Sequence, residues 1–75
     1  MTQKLPALKP AEMIKALEQA GFKIVRQSGS HAIMWKEGLP RPIPIPIHSK
    51  ELKGNLQNRI IKEAGLTTEQ FASLL

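Results

Sequence analysis

The run Ile43-Pro44-Ile45-Pro46-Ile47 constrains this chain more than any other stretch. Strict alternation of a β-branched residue with a second type marks a strand with two unlike faces. Two prolines forbid a central position in a sheet, because each removes a ladder donor. Residues two apart direct their N–H groups to the same edge. Pro44 and Pro46 therefore share one edge, and Ile43, Ile45 and Ile47 can donate toward the other. The segment predicts an edge strand with its proline side outward, which also discourages edge-to-edge association.

The flanking sequence supplies elements for such a strand to join. Pro10 suits a first helical turn and Glu12 suits the positive helix N-terminus, so a helix is expected over about 10–20. Met13, Ile14, Leu17 and Ala20 form its apolar stripe, and Gly21 suits the position just past its end. Residues 22–27 mix aromatic and β-branched side chains with Lys23 and Arg26, the pattern of a half-buried strand. Ser28-Gly29-Ser30 reads as a turn, residues 31–36 as the next strand, and 43–47 as the third, giving a three-stranded antiparallel meander. Residues 48–54 connect it to a helix capped by Asn55, with Leu56, Ile60, Ile61 and Ala64 buried and Gly65 as its stop. Thr67 or Thr68 caps a last short helix packing Phe71, Leu74 and Leu75. The expectation is an α+β fold, α-β-β-β-α with an extra C-terminal helical turn, as a single domain over 1–75 with a loose tail over 1–7.

A chain of 75 residues buries only about 60% of the surface it exposes unfolded, which predicts modest stability. There is no cysteine, and no signal-like apolar stretch follows Met1-Thr2-Gln3-Lys4, so a reducing, cytoplasmic setting is expected. No apolar run approaches the roughly 18 residues of a membrane span. Eleven Lys and Arg against six acidic residues give a net charge of +5. Arg41, Lys50, Lys53, Arg59 and Lys62 lie in one stretch opposed by Glu51 alone. That excess suits a polyanion, an acidic protein partner, or a solvated face kept for solubility.

The stock of catalytic side chains is nearly empty, with no Cys or Tyr and no Asp in the sequence. Imidazole is the side chain whose ordinary titration lies near working pH, so chemistry at neutral pH would fall to His31 or His48. His31 opens its strand beside Gly29 and shares a face with Ile33 and Trp35, while Ala32 and Met34 lie opposite. If the odd-numbered face is core, His31 must sit at the rim of the sheet. His48 could pair with His31 as acid and base, bind phosphate, or hydrogen-bond the following loop. A single Trp in a short chain is usually core, although Trp35 could stack on a base. Lys50 and Lys53 flank a helix start, where phosphate would also meet free N–H groups.

The succession Gly21-Phe22, Arg26-Gln27-Ser28-Gly29-Ser30-His31, Ile45-Pro46-Ile47-His48, Lys50-Glu51-Leu52, Lys53-Gly54-Asn55-Leu56 and Ala64-Gly65-Leu66 resembles the HicA family. The resemblance covers roughly residues 8–75 and departs at Asn55, where the family commonly has threonine. It implies a double-stranded-RNA-binding-domain-like fold and a toxin that cleaves mRNA with a histidine, here His31, and is silenced by a HicB-like antitoxin. RNA contacts are then expected from Gly29, Ser30, His48, Lys50 and Lys53. Six scattered Glu without Asp make a poor two-metal cage, and two histidines leave no clustered zinc site, so neither metal nor small-molecule cofactor is expected. The reaction that remains is metal-free attack of an RNA 2′-OH on the adjacent phosphate, with His31 as base or acid. Two other readings stand beside it. One is a non-catalytic RNA-binding module of the same fold. The other is an interaction domain whose basic face serves only an acidic partner.

Overall fold

The computed structural model describes residues 7–75, and the tail expected over 1–7 lies, for residues 1–6, outside the described residues. Helix α1 spans Pro10–Gln19, strands β1, β2 and β3 span Lys23–Ser28, His31–Trp35 and Ile43–Pro46, and helices α2 and α3 span Gly54–Glu63 and Thr68–Ala72.

Local chemistry sets these boundaries. At the start of α1, the Glu12 carboxylate accepts the Lys9 N–H at 2.8 Å, satisfying a donor that the helix leaves open. Both longer helices end in the same way. Gly21 donates to the Glu18 carbonyl and Phe22 to the Leu17 carbonyl, each at 3.0 Å. Gly65 donates to Lys62 at 3.0 Å and Leu66 to Ile61 at 3.2 Å. This paired closure needs a left-handed residue, and both glycines supply it, at φ 98° and 77°. In α3, the Thr67 hydroxyl accepts the Gln70 N–H at 3.0 Å, and the Gln70 side chain returns the favour to the Thr67 N–H at 2.9 Å.

The sheet is antiparallel with order β1-β2-β3. β3 pairs with β2 alone, so the proline strand is an edge, as its sequence predicts. Ala32 lies opposite Ile45 and Met34 opposite Ile43, and all four side chains are buried. Met34, Ile43 and Ile45 share one buried cluster with Met13, Ala16 and Leu17 of α1, Ile60 and Ile61 of α2, and Phe71 of α3, so both long helices cover the same face. Leu8 closes this core from the N-terminal side. Its N–H donates to the buried Gln57 side-chain oxygen at 2.8 Å, and its carbonyl accepts the Leu52 N–H at 2.7 Å.

Four expectations change. β1 is exposed along its whole length rather than half-buried. A bulge at Val25 shifts its register against β2, and no helix packs substantially against it, leaving Ile24 44% and Val25 48% exposed. α2 begins at Gly54 with Lys53 as its N-cap, not at Asn55. Leu52 must be buried, and the chain turns into the helix directly after that anchor. The inward stripe of α2 is Gln57, Ile60, Ile61 and Ala64, and Leu56 is only half-buried. Spacing of three, one and three fits a single helical face, and Gln57 is tolerated there because its oxygen is hydrogen-bonded. Finally, Leu75 is 58% exposed rather than packed.

Candidate active site

His31 stands on the bare face of the sheet. Because the even-numbered residues of β2 enter the core, His31, Ile33 and Trp35 point the other way, with Pro46 opposite His31 and Pro44 opposite Ile33. The condition that would have forced His31 to the rim of a buried face therefore does not arise. The His31 side chain is exposed, and the Ser30 hydroxyl oxygen lies 3.5 Å from Nδ1, a long contact. Trp35 is half-buried on this same face and lies outside the core. Its indole N–H donates to the Leu39 carbonyl at 3.0 Å, which holds the ring against the loop after β2.

The turn beside His31 is built on Gly29. Ser28 and His31 pair across it, leaving Gly29 and Ser30 as a two-residue connection. Gly29 has φ 57° while Ser30 has no positive φ, which is the glycine-first pattern of a type II′ hairpin turn. No atom lies within 4 Å of where a Gly29 Cβ would stand, so the backbone here is open to a ligand.

One hydrogen bond draws the end of β3 to this turn. The Ile47 N–H donates to the Ser30 carbonyl at 2.8 Å, and His48 follows immediately, exposed. Gly29, Ser30, His31 and His48 thus gather at one end of the sheet. Lys50 and Lys53 lie further along the connector, both exposed, on either side of the buried Leu52. Lys53 is the N-cap of α2, where no side chain caps the helix and no acidic residue occupies the first turn. An uncapped helix N-terminus with a lysine on it suits an anion.

A family model described as the HicA toxin of bacterial toxin–antitoxin matches residues 10–66, more than half of the chain. The chain belongs to the HicA toxin family. The stretch matched to HicA holds the whole sheet, the glycine turn, both histidines and α2, and it stops before α3. A HicA toxin is one half of a toxin–antitoxin pair, so an antitoxin partner comes with the family. No curated protein and no solved structure matches the chain significantly.

Sequence reasoning on this HicA chain missed one feature of shape. A cleft of about 440 Å³ runs along the outer side of β3, with Arg41, Pro42 and Pro44 on one wall and Leu56, Arg59 and Glu63 on the other. In the sequence only their charge groups Arg41 with Arg59. Their meeting across the cleft depends on how α2 docks, and no local pattern encodes that. Among the described residues, no three His, Cys, Asp or Glu side chains converge, and no helix is long and apolar enough to cross a membrane.

Proposed function

We propose that this HicA toxin is a metal-independent endoribonuclease that cleaves mRNA, acts in the cytoplasm, and is silenced by a HicB-like antitoxin. The observation that carries the reading is an exposed imidazole, His31, beside an open glycine turn on the face of the sheet opposite the buried core.

The chemistry runs through the RNA itself. A base removes the 2′-OH proton, the 2′ oxygen bonds to the adjacent phosphorus, and the bond from phosphorus to the 5′ oxygen breaks as that oxygen takes up a proton. His31 serves as the base or the acid of this exchange. Gly29 and Ser30 offer backbone to the chain of the substrate, and His48 lies close enough along the chain to contact the same phosphate or share the proton transfer. Lys50 and Lys53, beside the uncapped start of α2, neutralise neighbouring phosphates. DNA, lacking the nucleophile, is spared.

The test is cleavage of a labelled mRNA in EDTA by the wild-type chain and by His31→Ala. The expected products carry a 2′,3′-cyclic phosphate or its hydrolysis product and a 5′-hydroxyl. RNA that is bound but never cut would make the chain a binding module. Strict dependence on added metal would remove the mechanism.

A further inference from the structure

The two edges of the sheet are unlike. The outer edge of β3 carries Pro44 and Pro46, which cannot donate. The outer edge of β1 has no proline, six exposed residues and, among the described residues, no strand paired to it. The direction of its backbone groups follows from the pairing. Pro46 has no N–H, so His31 and Pro46 face each other without exchanging hydrogen bonds, and His31 turns its own groups toward Ser28. Ser28 then bonds inward, and its neighbour Gln27 presents N–H and C=O to the outside. Within the same strand Ile24 and Val25 are 44% and 48% exposed, with Lys23 and Arg26 on either side.

Such an edge is a template for another strand, and natural proteins rarely leave one bare and apolar. The candidates for that strand differ in charge and chemistry. A second copy would set one chain of net charge +5 against another, with Lys23 and Arg26 in both edges. RNA would meet the two cations but leave Ile24 and Val25 wet. An extended protein segment alternating apolar with acidic side chains satisfies the backbone, the apolar pair and the cations together.

We propose that β1 is the seat of the antitoxin, which adds to it an extended strand of that composition. The proposal rests on the antitoxin partner that the family brings, and not on RNA cleavage.

Two probes test it. The first is a short peptide alternating glutamate with valine, titrated into the ¹⁵N-labelled chain, with a lysine–valine peptide as control. Amide shifts should concentrate on residues 23–28, and exchange of the Gln27 amide should slow. The second probe is a purified HicB-like antitoxin of the same pair, whose complex should protect the same amides. Gln27→Pro removes an outward donor while sparing the inward pairs, and Arg26→Glu reverses an exposed charge if the proline variant fails to fold. Either should weaken the complex by about tenfold or more, the loss expected at one central interface residue. Equal binding of the lysine peptide, self-association through β1, or protection of β1 by RNA instead would each overturn the proposal. An antitoxin complex that leaves β1 exchanging freely would overturn it too. Peptide binding at β1 with no antitoxin complex at all would overturn the antitoxin as occupant.

Discussion

The two faces of the sheet are cut from the same strands and serve opposite ends. On one, Ala32, Met34, Ile43 and Ile45 are all but sealed from water by α1, α2 and α3. On the other, His31 and Pro44 are exposed and Ile33, Trp35 and Pro46 are only half-buried. A chain this short can cover only one face with helices, and period-two alternation then sorts the residues of β2 and β3 into inward and outward. The difference teaches that a polar side chain such as that of His31 can be carried on a strand at almost no cost to stability, provided it has the right parity.

His31→Ala gives the sharpest test of that division. Cleavage should fall about 10²–10⁴-fold, while the unfolding free energy read from urea titration changes by no more than about 0.5 kcal/mol. A His31→Ala protein that folds and still cleaves RNA normally would take His31 out of the mechanism. One position of opposite parity should behave in the reverse manner. Met34→Ala should cost about 2–5 kcal/mol in urea unfolding, because it opens a cavity in the fully buried core cluster. A Met34→Ala loss no larger than that of His31→Ala would break the comparison.

Smaller effects sharpen it. Replacing Lys50 and Lys53 by Ala together should lower the salt slope of RNA binding by about 1–2, read from affinities over a salt series, with stability unchanged. Gly29→Ala should cost about 1 kcal/mol in urea unfolding. The space around it is open, so that loss is the strain of a left-handed backbone and not a clash.

How far the sequence could be read depended on whether the deciding interaction was local. The edge position of β3 was legible because proline acts on its own backbone. The stops at Gly21 and Gly65 and the Thr67 cap were legible for the same reason. The exposure of β1 was not, since Lys23-Ile24-Val25-Arg26 looks half-buried until one knows that neither long helix packs substantially against it. Gln57 escaped notice because its place in the core depends on a backbone donor 49 residues away. At the site, His31 and the glycine turn could be picked out as neighbours in the chain. Their juxtaposition with His48 needed the register fixed by the hydrogen bond from Ile47 to Ser30. Which face His31 occupies was decided by the parity of Met34, a matter of packing.

The double tether at Leu8 has a consequence for synthesis. Leu8 emerges early from the ribosome, but the side chain of Gln57 and the N–H of Leu52 that hold it are made much later. Closing a span of 49 residues must wait for most of the chain, and contacts of such reach are slow to form. The connector carrying Lys50 and Lys53 is held by that same tether, so it takes its final place only after the first turn of α2 has been made.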